Sequence, residues 1–201
     1  MMDFQSIEKM MTCISRGECV NKDVIYESIN YAFDNKDCRL ATRLAYCFGK
    51  TNGDNYAWAL EKLLRFDFCP QATAQAIKFL CRKGLFEQYR DLILKWAAVA
   101  PSRANNTSQK MMAISMVGEH LRERKDKCLR DFIASKVEHY LSFDEDELLT
   151  DESSEKHRFE HAAADAMGAD MEEILLCDDI DHSDRLVEYW VKRFLKERTD
   201  G

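Results

Sequence analysis

The stretch that decides the fold is LFEQYRDLILKWAAVA, residues 85–100. Its apolar side chains recur every three or four residues, which places them along one face of an α-helix. The members of this stripe are Leu85, Tyr89, Leu92, Ile93, Trp96, Ala97 and Ala100. Pro101 and a polar segment follow at once and predict the end of the helix. We therefore expect a long helix here, with Leu92, Ile93 and Trp96 buried.

The same helical spacing continues on both sides of this stretch. Only two prolines and seven glycines interrupt 201 residues, and no segment alternates apolar and polar side chains as a strand does. Pro70 suits the first turn of a helix and Gly84 suits a helix end. Asp54 and Ser183 are placed to cap two further helices. The sequence therefore predicts an all-α fold.

Two internal similarities indicate how the helices are arranged. Ala41-Thr42-Arg43-Leu44-Ala45 recurs loosely as Ala72-Thr73-Ala74-Gln75-Ala76, and Tyr89-Arg90-Asp91-Leu92-Ile93 recurs as Leu129-Arg130-Asp131-Phe132-Ile133. Over residues 20–141 this pattern resembles the degenerate helical pairs of HEAT or armadillo-type solenoids. The resemblance implies stacked helical hairpins (an α-solenoid) with a binding face, and it implies nothing about reaction chemistry. An irregular helical bundle is the alternative. In either fold we expect Phe132 and Ile133 to be buried.

Charge divides the chain more sharply than hydrophobicity does. Residues 1–140 contain 17 acidic and 22 basic side chains, a net of +5. Residues 141–184 contain 16 acidic and 2 basic side chains, a net of −14, and residues 185–201 have a net of +2. The three segments add up to the net charge of −7 for the whole chain. We predict a helical-repeat domain over 1–143, an acidic linker over 144–155, and C-terminal helices over 156–201 that pack on the same domain.

The acidic segment is the predicted binding site. Dense like charge favours a solvated linker, contact with a basic surface, or an internal strap over the basic first part of the chain. The predicted contact residues are Asp144, Glu145, Asp146, Glu147, Asp151, Glu152, Asp178, Asp179 and Asp181. The sequence thus predicts a protein-binding scaffold, an inhibitor or adaptor, whose partner is a basic protein such as a nucleic-acid-handling enzyme. No cofactor and no catalytic residue are predicted, and the oligomeric state stays open.

HRFEH, residues 157–161, offers a different function. It matches the H-x-x-E-H pattern of inverted zinc proteases, so a metal-dependent hydrolase built on His157, Glu160 and His161 is one alternative. On a helix, Asp165 would share the face of the two histidines, and these three could hold a surface metal. That face points away from the apolar side marked by Phe159. We therefore expect the histidines to lie on a solvated helix face, with no metal bound.

A nucleic-acid-binding protein is the remaining alternative. One local basic cluster contains Arg122, Arg124, Lys125, Lys127 and Arg130. Glu123 and Asp126 interrupt it, and the pI near 5.3 disfavours phosphate binding, so direct nucleic-acid contact is not the expected function.

Cysteine usage and hydropathy predict the compartment. The eight cysteines form no C-x-x-C pair and several fall in apolar helical patterns, which is typical of free thiols in a reducing environment. No basic-then-apolar leader opens the chain, and no apolar stretch approaches the roughly 20 residues that span a bilayer. We expect a cytoplasmic protein without membrane contact.

Overall fold

The computed structural model describes residues 3–99, 107–144 and 147–199. All regular structure in these ranges is helical, and they contain no strand, which confirms the predicted all-α class. None of the helices in the same ranges is both long and apolar enough to cross a bilayer. Contacts between residues divide the chain into two compact units, 1–92 and 93–201.

The first unit is built from short helices that pack on their neighbours in sequence. These are α1 (Phe4–Ser15), α2 (Lys22–Asp34), α3 (Cys38–Gly49), α4 (Ala57–Leu63) and α5 (Pro70–Leu80), and a kinked turn, Cys81–Leu85, leads into α6 (Phe86–Ala97). Helix α3 contacts α1, α2, α4 and α5 and so lies at the centre of this unit. The apolar face of α3 is fully buried, and its members are Leu40, Ala41, Leu44, Ala45 and Phe48.

Side chains at the helix starts explain why the helices begin where they do. Asp3 accepts a hydrogen bond from the Ser6 backbone N–H at 2.7 Å, and Asp37 accepts one from the Leu40 N–H at 2.9 Å. Such caps satisfy backbone donors that have no partner inside the helix. Pro70 occupies the first turn of α5, as predicted, where its missing N–H costs nothing.

Two predicted helix boundaries are shifted and one break is confirmed. Helix α4 begins at Ala57 without a side-chain cap, so Asp54 does not cap it. The last helix begins at Ile180, three residues before the predicted cap at Ser183. Gly84 adopts a φ of +83°, a left-handed conformation that disfavours other residues, and it breaks the helical path between α5 and α6.

The second unit is arranged around one central helix. It contains the end of α6, then α7 (Thr107–Glu123), α8 (Lys127–Leu141), α9 (Thr150–Ala166), α10 (Met171–Leu175) and α11 (Ile180–Thr199). Helix α9 contacts α7, α8, α10 and α11. It approaches α7 closely at Gly118, where an added Cβ would lie 2.8 Å from the Cα and carbonyl oxygen of Ala162. Phe159 and Phe194 are fully buried around α9.

The predicted acidic linker, residues 144–155, is partly helical. Helix α9 begins at Thr150, and its Glu155 is buried. The segment therefore lies inside the second unit, and the predicted domain boundaries at 143 and 156 do not coincide with the division between residues 92 and 93. Glu145 and Asp146 lie outside the described residues.

The predicted core side chains are buried to different degrees. Ile93 and Ile133 are completely buried. Leu92, Trp96 and Phe132 are only half-buried, so the expectation of full burial was wrong for these three. Periodicity identifies the inward face of a helix, but it does not tell how completely a neighbouring element covers each position.

Candidate functional site

The first part of the predicted acidic surface lies before and within the first turn of α9. Asp144 and Glu147 are exposed, whereas Asp151 and Glu152 are half-buried. A Glu152 carboxylate oxygen accepts a hydrogen bond from the Leu149 N–H at 3.0 Å. Acidic groups in this position stabilise a helix N-terminus, so Asp151 and Glu152 have a structural role in addition to any contact with a partner.

The second part of the predicted surface is more open. Asp178, Asp179 and Asp181 are all exposed around the start of α11. Asp179 accepts a hydrogen bond from the His182 N–H at 3.1 Å and so helps to begin the helix. No hydrogen bond or ion pair to another described residue occupies the side chains of Asp178 and Asp181. These two carboxylates are therefore available to a partner.

We call residues 171–184 the α10–α11 segment. It contains six acidic side chains and no lysine or arginine. Three of its apolar side chains are exposed as well: Leu175 by 59%, Leu176 by 72% and Ile180 by 72%. This apolar component was not predicted from the sequence. Its signal is the run Ile174-Leu175-Leu176, because three consecutive residues of a helix cannot all face the core.

The α10–α11 segment is held in place at several points. Asp170 caps α10 by accepting from the Glu172 N–H at 3.0 Å, and Ile174 is buried. The Ser183 hydroxyl donates to the Ile174 carbonyl oxygen at 3.0 Å, which ties α11 to α10. Leu176 and Ile180 are thus presented from a structured turn. An exposed apolar group on a fixed backbone loses little further entropy when a partner covers it.

A buried ion pair connects α7 to α9 in the same unit. Lys110 donates to Glu155 and to the Val99 carbonyl oxygen, and both charged side chains are more than nine-tenths buried. Burial lowers the pKa of Lys110, and the nearby Glu155 carboxylate opposes this shift. Burial, with Glu155 close by, raises the pKa of Tyr140 on α8. Glu155 therefore has a structural role, and its carboxylate is not available on the surface to a partner.

The HRFEH helix face differs from a zinc site in two respects. His157 is exposed and lies 3.5 Å from Glu160, whereas His161 is half-buried and its pKa is lowered, chiefly by burial. Asp165 is buried, contrary to the expected solvated face, and lies 2.9 Å from Arg122 of α7. Burial raises the pKa of Asp165, and Arg122 opposes the shift.

The three candidate metal ligands therefore lie in different surroundings: His157 is exposed, His161 is half-buried and Asp165 is buried. Among the residues that the structure describes, His157, His161 and Asp165 do not bring their ligand atoms within 4.8 Å of one another. Asp165 is already engaged with a guanidinium. A hydrolytic zinc site needs its protein ligands in register around one ion, and these three side chains do not form such a set in the part of the chain that the structure describes.

The predicted basic cluster borders a groove within the second unit. The groove has a volume of about 800 Å³ and lies between the α7–α8 turn, the end of α9 and α11. Seven of the nine predicted acidic contact residues fall in the described ranges, and none of these seven lines the groove. Arg193 and Glu197 of α11 also line this groove. They are more than 60 positions from the basic cluster in the sequence, so the sequence alone does not predict that they lie beside it.

No protein-family model matches this chain, and no curated protein or solved structure is significantly similar to it. The geometry of its own residues is therefore the basis for a functional assignment.

Proposed function

We propose that this chain binds a basic protein, as an inhibitor or adaptor, through the α10–α11 segment and the neighbouring acidic residues at the start of α9. The observation that carries the proposal is the combination in residues 171–184: six carboxylates without a lysine or arginine, beside the exposed Leu175, Leu176 and Ile180. Both parts are required, because charge alone is common on solvated surfaces.

The physical argument follows the usual composition of protein interfaces. Apolar side chains at the centre of an interface slow dissociation, while charges at its rim steer the approach and select the partner. Individual exposed ion pairs contribute only about 0–1 kcal/mol each, so the carboxylates act mainly as a group. A surface of this kind favours a partner that presents basic side chains around an apolar recess.

The architecture of the first unit supports a scaffold role. Helices α1 to α5 pack mainly on helices close to them in sequence, as stacked helical hairpins do. We propose a HEAT-like stacking for this unit. Short-range packing of this type leaves one helical face free for partners, but the proposed contact with the basic protein does not depend on it.

The test uses affinity capture with the full chain as bait. One variant, Asp178→Asn with Asp181→Asn, removes two exposed carboxylates that have no structural hydrogen bond. The matched control, Asp34→Asn with Asp67→Asn, makes the same charge change at two exposed positions of the first unit. Asp179 is left intact because its loss would remove a helix cap, at a cost of about 1 kcal/mol.

We expect the parent and the control to retain the same basic protein at low salt and the α10–α11 variant to lose most of it. Raising the salt should also release the partner, since exposed charges are screened within about 10 Å at 0.1 M. Equal retention by all three baits, or capture of an acidic protein alone, contradicts the proposal. Circular dichroism of each bait checks that the helices are unchanged.

A further inference from the structure

The groove at the α7–α8 turn contains cations that the protein does not neutralise. Arg124, Lys125 and Lys127 are exposed and line this groove. Within the described residues, no hydrogen bond or ion pair engages their side chains. Arg193 of α11 also lines the groove, and its recorded contacts with described residues are with the rings of Trp190 and Tyr189, at 5.1 and 5.9 Å. Four cations without an ion pair to any described residue therefore line one groove in a chain whose net charge is −7.

Two other charged side chains of the groove, Arg130 and Asp126, have defined partners. Both terminal nitrogens of Arg130 donate to one oxygen of Glu197, at 3.1 and 3.2 Å, and its guanidinium lies 4.7 Å from the centre of the buried Phe194 ring. Asp126 is engaged as the cap of α8, accepting from the Leu129 N–H at 3.0 Å. The carboxylates of Asp126 and Glu197 are thus occupied, which leaves an excess of positive charge in the groove.

We infer that this groove binds a small molecule carrying a di- or triphosphate group. Its volume of about 800 Å³ lies within the range of small-ligand sites, roughly 300–1,000 Å³. Arginine supplies planar, bidentate donors for phosphate oxygens, and lysine supplies a mobile point charge. Arg124, Lys127 and Arg193 provide both kinds from two walls of one groove. A chain of phosphates satisfies such a set better than a single carboxylate does.

The charge around the groove selects a small ligand over a nucleic-acid chain. Nucleic-acid binding requires an extended basic track, because its affinity grows with the number of phosphates neutralised. Here Glu123 and Asp131 border the cations, and the same unit contains the strongly acidic residues 141–184. These carboxylates would repel a long polyanion that extended beyond the groove.

The test is calorimetric titration of the full chain with inorganic triphosphate at low salt. The groove variant is Arg124→Gln with Lys127→Gln. The matched control is Arg16→Gln with Lys9→Gln, which removes the same two charges from exposed positions of the first unit. All four side chains are exposed, so we expect the thermal melting of both variants to match that of the parent.

We expect one triphosphate site in the parent and the control, with affinity weakened about tenfold or more in the groove variant, because charge-assisted hydrogen bonds are lost. Absence of triphosphate binding by the parent overturns the inference, and so does equal weakening in both variants. A single-stranded oligonucleotide is titrated in parallel. If it binds more tightly than triphosphate and depends on the same two residues, the groove is a nucleic-acid site and the inference is wrong.

Discussion

Tyr89 illustrates how the hydroxyl of a single half-buried residue couples stability to pH. Its hydroxyl donates to Glu61 at 2.6 Å across the first unit. Burial and this hydrogen bond to a carboxylate raise the pKa of Tyr89 above its ordinary value of 10.0. In the unfolded chain the same hydroxyl ionises near that ordinary value. The folded state therefore keeps a proton that the unfolded state loses, and the stabilisation disappears as the pH rises.

We accordingly expect the free energy of unfolding to fall as the pH is raised above about 10, with a limiting slope of about 1.4 kcal/mol per pH unit for each such tyrosine. Urea unfolding at a series of alkaline pH values measures this slope. Tyr89→Phe should make it shallower while lowering stability at neutral pH. Tyr46→Phe serves as the control, because the Tyr46 ring is 42% exposed. A slope that is identical in parent and Tyr89→Phe contradicts the assignment.

The pair formed by Lys110 and Glu155 shows what single-residue reasoning overlooks. Glu155 is the last residue of the predicted acidic linker, residues 144–155. It is instead 1% exposed and paired with a lysine 45 positions earlier. Burying one of these charges alone would be costly, but together they satisfy each other. Nothing local to residues 144–155 predicts this partner, so it emerges only when α7 and α9 are packed together.

At the scale of the helix, the sequence predicts which segments are helical, but it predicts less well how far neighbouring helices cover each side chain. The buried face of α3, Pro70 at the start of α5 and the break at Gly84 all follow from local chemistry. Asp165 does not. The helical wheel placed it on a solvated face, yet α9 is surrounded by α7, α8 and α11, so even its polar side is partly covered. Periodicity describes one helix, whereas burial depends on how many helices surround it.

The contact between α7 and α9 provides a test at the same scale. A Cβ on Gly118 would stand 2.8 Å from backbone atoms of Ala162, which cannot move aside as a flexible side chain can. We expect Gly118→Ala to destabilise the protein by about 1–3 kcal/mol, the usual cost of overpacking. At an exposed helical position the same substitution stabilises by up to about 1 kcal/mol, so the sign is diagnostic.

Urea unfolding monitored by circular dichroism gives the free energy of unfolding for this comparison. Ser135→Ala on the exposed side of α8 is the control, and we expect it to change stability by no more than about 0.5 kcal/mol. A Gly118→Ala protein as stable as the parent, or more stable, would show that α7 and α9 are not in backbone contact at this point.

Across the whole molecule, charge and apolar exposure are concentrated in the C-terminal half. Residues 141–184 have a net charge of −14, while residues 1–140 have a net charge of +5. The sequence predicted this separation, and with it the carboxylates of Asp178 and Asp181. The adjoining apolar groups were missed although the run Ile174-Leu175-Leu176 carries a signal for them. The second wall of the basic groove could not be predicted, because it depends on where the chain turns between α9 and α11.

The two components of the α10–α11 segment should affect different rate constants for the captured basic partner. Charges act at a distance, so Asp178→Asn with Asp181→Asn should lower the association rate and its salt dependence while leaving dissociation nearly unchanged.

Leu176 is 72% exposed in the free chain and acts only on contact. We expect Leu176→Ala to accelerate dissociation about tenfold, as the loss of a central apolar contact does, without altering association. Leu141→Ala, at a side chain 51% exposed on α8, is the control for nonspecific loss of apolar surface. Surface plasmon resonance at two salt concentrations separates the rates. If both variants changed the same rate constant, or if Leu141→Ala matched Leu176→Ala, the division into a steering rim and an apolar centre would be wrong.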